Sequence, residues 1–202
     1  MTTPGEVSPL VLQFCRRIEP DAEPLYVPVA PLGGVPTNFC NLVVTAKVAR
    51  DGGEALSGWT IWLNPDVMIE AEAHMVWRSP TGDLIDVTPK PDGETRILFL
   101  PASQPHSFAR NIPNRRQALV DSIETRATVR TYALYDQLRD RYWRGAAGAV
   151  IPANELQQVQ DMQDALMRGD TPDNWFCPCR SGKKFGKCCG RPEGTVAPYT
   201  NF

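Results

Sequence analysis

Glu70-Ala71-Glu72-Ala73-His74-Met75-Val76-Trp77, then Ser79-Pro80-Thr81-Gly82, then Leu84-Ile85-Asp86-Val87-Thr88-Pro89 is the stretch on which the reading of this chain turns. The outer segments carry β-branched and aromatic residues bounded by turn formers, which is the pattern of strands. The four residues between them fit a type I turn with Pro at its second position, closed by a glycine free to take the left-handed conformation. If residues 80–82 form the loop, Ser79 pairs with Asp83, Val76 lies opposite Asp86, and His74 lies opposite Thr88. His74 and Asp86 are then diagonal neighbours on one face, about 7–8 Å apart at the backbone and within side-chain reach. A two-residue loop would send them to opposite faces, because side chains alternate along a strand.

Working outward, Trp59-Thr60-Ile61-Trp62 and residues 95–100 read as further strands, so residues 56–100 form a small antiparallel sheet. Before it, residues 7–18 place Leu10, Val11, Phe14 and Ile18 at helical spacing, and residues 25–30 read as a strand between prolines. Thr37-Asn38 is a helix N-cap candidate, followed by residues 39–49 with Leu42, Val43, Ala46 and Ala49 on one side and Gly52-Gly53 as the stop. After the sheet, residues 118–142 and 153–167 return to helical periodicity. The class is α+β. The expected organisation is an α+β core over residues 1–110, a helical cover packed on it over 111–168, a linker over 169–175, and a small cysteine-rich module over 176–202.

Composition narrows the function. With 42% hydrophobic and 22% charged positions among 202 residues, the chain belongs with globular proteins and not with disordered ones. No apolar run approaches the roughly 18 residues of a spanning helix, and the first ten residues lack a basic stretch followed by an apolar block. A cytoplasmic protein with no membrane partner is therefore expected. Net charge is −2, so attraction to nucleic acid would have to be local. Of six cysteines, Cys177, Cys179, Cys188 and Cys189 crowd into thirteen positions, which in a reducing compartment favours a metal over disulfides.

The remaining two cysteines differ. Cys15 falls on the apolar face of the first helix, where a small buried thiol is the default. Cys40 falls in the first turn of the second helix, where the helix N-terminus favours a thiolate. With His74 and Asp86 it completes an ordered Cys, His, Asp series of the kind that nucleophilic catalysis uses. A cysteine opening a helix, then a strand with His-x-x-Trp, then a strand with Asp-x-Thr resembles the transglutaminase-like branch of the papain-like superfamily, over residues 25–100. That resemblance implies a papain-like core and acyl transfer: Cys40 as nucleophile, His74 as base, Asp86 as the group orienting the imidazole. The usual Gly-x-Cys-Trp and Gln-x6-Cys surroundings are absent, so Asn38, Trp59 and the Cys40 N–H are the candidates for the oxyanion hole. A competing reading places Glu70, Glu72, His74 and Asp86 around a divalent metal, as in cupin-like barrels. Trp59, Trp62 and Trp77 read most simply as core or pocket wall, His106 as a solvated loop histidine, and Asp140 and Arg141 as the wet face of their helix.

The tail supplies four thiols, enough to close a tetrahedral zinc site. A segment this short lacks the apolar area to fold alone, so metal binding would contribute its folding free energy. Cys177-Pro178-Cys179-Arg180-Ser181-Gly182-Lys183-Lys184-Phe185-Gly186-Lys187-Cys188-Cys189-Gly190 closely resembles the SEC-C motif, with Arg180 where that family has glycine and Phe185 where tyrosine is common. The resemblance implies bound Zn2+ and docking on a protein or ribosome partner; five basic and no acidic residues over 176–191 leave RNA as a further partner. Two functions follow. One is a thiol-dependent hydrolase or acyltransferase acting on a peptide or amide bond, recruited by its zinc-binding tail. The other is a non-catalytic adaptor that keeps the fold and docks through the tail.

Overall fold

Ser8 opens the first helix, α1 (Pro9–Ile18), by accepting the Val11 N–H on its hydroxyl, while Pro9 occupies a position whose N–H would have no helical acceptor. The buried face of α1 is Val11, Phe14 and Cys15, and Leu10 turns partly outward. The structure, a computed structural model, describes residues 1–188 except Pro36, Asn38, Ala146, Ala147 and Cys179. The chain divides into two compact units: residues 1–64 with 69–115, and residues 65–68 with the described residues from Arg116 on. Among the described residues, no helix is long and apolar enough to cross a membrane.

The first unit is mixed α and β. After α1 come β1 (Leu25–Pro28), α2 (Cys40–Asp51), β2 (Glu54–Asn64), β3 (Met68–Arg78), β4 (Leu84–Ile85) and β5 (Arg96–Pro101). Neighbouring strands run in the order β1-β5-β2-β3-β4, with β1–β5, β2–β5 and β3–β4 antiparallel. This path curls back on itself, since Val29, just past β1, bridges Asp86, just past β4. Inside the curl lie Val27, Val76, Ile97 and Phe99, with Leu25, Leu56 and Leu84 packed against them. Every strand contributes to that one core, as expected where alternate residues of a bent sheet point inward.

On the other face, Val43 and Val44 of α2 pack against Trp77 and Val87. Leu42 is 47% exposed and Ala46 and Ala49 also face outward, so the inward stripe is one position off from the one read in the sequence. Trp77 explains the shift: its large ring draws Val43, Val44 and Val48 onto β3 and β4, and its Nε1–H donates to the Gly52 carbonyl at 2.9 Å. Gly53 follows with φ 81°, and a Cβ there would run into the Arg78 carbonyl, so no other residue fits this turn.

The second unit contains β6 (Arg115–Ala118), α3 (Ile123–Tyr142) and α4 (Ala153–Met167). The helix expected from residue 118 starts later, because the Ser122 hydroxyl caps it by accepting the Thr125 N–H. Ahead of that cap the chain is extended, and Leu119 N–H donates to the Val67 carbonyl at 2.9 Å. Ala127, Leu134 and Leu138 of α3 meet Val159, Met162 and Leu166 of α4 in a core that also takes in Cys177 and Phe185. The cysteine-rich tail thus shares the core of the helical pair. The stretch read as a linker is correspondingly packed: Pro172–Asn174 forms a short 3-10 turn with Pro172 buried, and Asp173 pairs with Arg130 at 3.0 Å. Glu155, fully buried, accepts hydrogen bonds from the Tyr142 hydroxyl at 2.6 Å and the Arg180 guanidinium at 2.9 Å, with Arg141 at 3.8 Å.

Phe185 is 0% exposed in this core. Replacement of such a ring by alanine removes buried area and leaves a cavity, at a cost of about 3–5 kcal/mol. Chemical denaturation followed by far-ultraviolet circular dichroism should therefore show Phe185→Ala destabilising the helical unit by that amount. An effect below about 1 kcal/mol would mean the tail does not belong to the helical core.

Candidate functional site

The hairpin joining β3 and β4 sets the geometry. Ser79 N–H donates to the Asp83 carbonyl and Gly82 N–H to the Ser79 carbonyl, each at 2.9 Å, and Gly82 takes φ 94°. The loop is therefore the three residues 80–82, and the ladder pairs Arg78 with Leu84 and Trp77 with Ile85. Pairing stops there. Asp86 turns to β1 instead, its N–H donating to the Pro28 carbonyl and its carbonyl accepting the Ala30 N–H, both at 2.9 Å. The parity of the loop nonetheless leaves the Asp86 side chain facing His74.

His74 Nε2 lies 2.9 Å from Asp86 Oδ2, and the two residues are 6% and 0% exposed. The second carboxylate oxygen, Oδ1, accepts the Thr88 N–H at 2.9 Å. Cys40, the first residue of α2, stands near enough for its sulfur to act on the charge of the imidazole. With Nε2 engaged by Asp86, the ring nitrogen left for the sulfur is Nδ1. The three residues that the sequence series joined are thus brought together from a helix start, a strand and a strand exit. Cys40 stands at the helix N-terminus as read, but the residue before it, Phe39, offers no side-chain cap. Asn38 lies outside the described residues.

A further side chain joins the group. Lys90 Nζ lies 2.7 Å from Asp86 Oδ2 and 3.5 Å from His74 Nε2, with the side chain 8% exposed. Sequence reading did not single it out. The one available signal was a lysine between two prolines, which stiffen the backbone on either side.

The electrostatics follow from burial and charge. Burial by itself would disfavour a charged imidazole, but Asp86 and the Cys40 sulfur outweigh it and raise His74 from its usual 6.5 to about 9. Burial likewise works against an Asp86 carboxylate, yet His74 and Lys90 lower it from 3.8 to about 2. At neutral pH the site therefore holds an imidazolium against a carboxylate. Cys15 is the opposite case, a buried thiol pushed up to about 12 by desolvation first and by the charge of Glu23 second.

Other candidates sit elsewhere. Glu70 is buried and accepts a hydrogen bond from Asn114, while Glu72 is exposed and accepts the Trp62 indole N–H at 2.9 Å, so neither joins His74 around a metal. Among the described residues, no group of three or more His, Cys, Asp or Glu side chains is arranged to hold one. Trp59 is buried, and its indole N–H donates to Glu19 at 3.2 Å, so it does not serve as an oxyanion donor. His106 is half-buried, not solvated: it meets the Trp59 ring edge-on at 4.6 Å, and burial lowers its basicity. Trp77 is core, and Arg141 reaches toward Glu155 from an otherwise exposed position.

In the tail, Phe176 and Lys184 form an antiparallel bridge, Cys177 N–H donates to the Lys183 carbonyl, and Arg180 N–H donates to the Cys177 carbonyl. Arg180 takes φ 58°, the left-handed conformation that glycine adopts freely. Its guanidinium bond to buried Glu155 offsets that strain. Cys177 and Cys188 both adjoin the cluster around Phe185, and Cys188 Sγ is 3.1 Å from the Ser181 hydroxyl. Cys179 and Cys189 lie outside the described residues. Comparison with family models, with curated proteins and with solved structures finds no match, so the functional reading stands on this geometry.

The ion pair carries a pH signature. A histidine raised from 6.5 to about 9 on folding contributes stability that is complete below 6.5 and is lost as pH climbs through 9. Asp86, lowered from 3.8 to about 2, contributes stability present above 3.8 and lost as pH falls through 2. The stability of the full chain, measured by equilibrium unfolding, should thus fall between pH 6.5 and 9. In His74→Ala that alkaline decline should vanish, and its persistence would assign the titration to another group.

Proposed function

We propose that the first unit is a thiol-dependent hydrolase or acyltransferase acting on a peptide or amide bond, built on a transglutaminase-like, papain-like core. The observation that carries the reading is that Asp86 Oδ2 lies 2.9 Å from His74 Nε2 while Cys40, at the start of α2, acts on the same imidazole, whose Nδ1 is free to meet a sulfur. A cation beside a sulfur stabilises its thiolate, and His74 held as an imidazolium supplies that cation. In the reaction the sulfur, its proton already held on His74 as the imidazolium, attacks the amide carbonyl carbon. The C–N bond then breaks as the imidazolium returns its proton to the departing amine, leaving a thioester. Water or a second amine attacks this thioester, His74 takes the incoming proton, and the thiolate leaves. Asp86 holds the ring and balances its charge throughout, as the third member of such a triad does. Developing negative charge on the carbonyl oxygen meets the N–H groups at the start of α2, which have no acceptor within the helix.

The tail adds recruitment. Cys177, Cys179, Cys188 and Cys189 would hold Zn2+, which when bound supplies a structural cross-link and no chemistry of its own. Support comes from the donor set and from the local turns: the left-handed Arg180, the Cys177–Lys183 hydrogen bond, and two thiols beside one core. Exposed Trp175 and Phe176 flank the loop, next to a cavity of about 500 Å³ lined by Met162, Cys177 and Arg180, and this surface suits a protein or ribosome partner, with RNA as the other candidate. Four reduced thiolates fit a cytoplasmic setting.

Alkylation separates the enzyme from the adaptor reading. At pH 7, iodoacetamide should modify Cys40 at least about tenfold faster than Cys15, as a thiolate-forming site should outpace a buried thiol. That advantage should disappear in His74→Ala. Equal rates at the two cysteines would favour the non-catalytic adaptor. Elemental analysis of the purified chain should give one zinc per chain, and a Cys179→Ser, Cys188→Ser double variant should lose it. Unchanged zinc content would place the metal elsewhere.

A further inference from the structure

Lys90 is a second cation on the carboxylate that holds His74. Its ammonium lies 2.7 Å from Asp86 Oδ2, the same oxygen that His74 Nε2 approaches at 2.9 Å, and its side chain is only 8% exposed. Burying an ammonium is unfavourable unless it is paired, so this position is built and does not arise from a stray surface lysine. Pro89 and Pro91 restrict the backbone that delivers it, and the Trp62 ring stands 6.0 Å from Nζ. Because the Nε2–H points at Oδ2, Lys90 has no lone pair to donate into on His74. The 3.5 Å separation of the two nitrogens is therefore a contact between two donors sharing one acceptor.

We infer that Lys90 is a positioning residue that tunes His74, taking a share of the Asp86 charge so that the imidazole is held less basic than an unshared buried Asp–His pair would make it. The inference rests on the reading of Cys40, His74 and Asp86 as reaction machinery. Its chemical purpose is in the second half of the cycle. An imidazolium must give its proton to the departing amine, and a carboxylate devoted wholly to it would make that release slow. A fixed positive charge on the same oxygen weakens the hold, while still leaving His74 charged when the thiol needs a cation beside it. The groups that face His74 are Cys40 from α2, Asp86 and Lys90 from the segment after β4, and, on its own strand, Glu70 engaged by Asn114 and Glu72 engaged by Trp62. Lys90 is the group among them whose charge opposes an imidazolium at close range.

The test is the titration of His74 in the full chain, read by NMR with labelled histidine, in wild type, Lys90→Met, Lys90→Gln and Lys90→Arg. Removal of a like charge at this distance should raise the His74 midpoint by about one pH unit or more in the Met and Gln variants. Lys90→Arg keeps the charge and should leave the midpoint near that of wild type. A purely structural role would lower the melting temperature without moving the midpoint. An unchanged or lowered midpoint in a folded neutral variant overturns the inference. Iodoacetamide rates at Cys40, measured on the same samples, keep the two ideas apart. If the midpoint moves while Cys40 reacts no faster than Cys15, charge sharing stands and the thiol chemistry fails. If Cys40 is selectively reactive while the midpoint stays, the thiol chemistry stands and Lys90 is excluded from it.

Discussion

The carboxylate of Asp86 is fully buried, and an ionised group without water survives only if it is paired and hydrogen-bonded. Its two oxygens accept from Thr88, His74 and Lys90, and its backbone ties the exit of β4 to the exit of β1. One residue therefore closes the curl of the sheet and anchors the polar cluster. Closure in turn brings five strands around a single apolar core, and that core fixes the direction in which β3 presents His74. The position of Cys40 depends on the same strand from its opposite face, since Trp77 holds α2 through Val43, Val44 and the Gly52 carbonyl. Alternation along β3 is thus the physical link between packing and chemistry: one residue faces the polar cluster, and a near neighbour on the other face seats the helix that carries the thiol.

Short-range chemistry made the hairpin legible. Pro80 and Gly82 admit few backbone conformations, so loop length and register could be read without knowing anything of the rest of the fold. The α+β class and the starts of α1, α2 and α4 were readable for similar reasons, from local periodicity and breakers. What escaped was long-range. The inward stripe of α2 was decided by a tryptophan on β3, outside the helix's own pattern. Lys90 gained meaning only when the chain after β4 folded back over Asp86. The strand at Arg115–Ala118 was not foreseen, and the helix was begun at residue 118, although only the hydroxyl of Ser122 marks where it starts.

The second unit shows the same principle applied to charge. Glu155 is buried on α4, yet it gathers Tyr142 and Arg141 from α3 and Arg180 from the tail loop. Tail and helices therefore share both an apolar cluster and a buried polar anchor. The arginine in the left-handed turn, which on backbone grounds alone suits glycine, makes sense once its guanidinium is seen to pair with that carboxylate. Sequence spacing identified the thiols, but nothing local could tell that Phe185 would be enclosed by two helices well upstream of it, because burial of that kind is a property of the assembled unit.

The three-residue loop between β3 and β4 has an evolutionary corollary. A strand pattern tolerates many substitutions, but a change of loop length by one residue inverts which face every downstream side chain occupies. Descendants of this chain that gain or lose a single residue at 80–82 would keep an equally apolar hairpin while turning the Asp86 carboxylate away from the imidazole. Lineages retaining the site should accordingly vary there in steps of two, whereas lineages that have abandoned it are free to drift by one. The parity of a surface turn would then record whether the chemistry has been under selection.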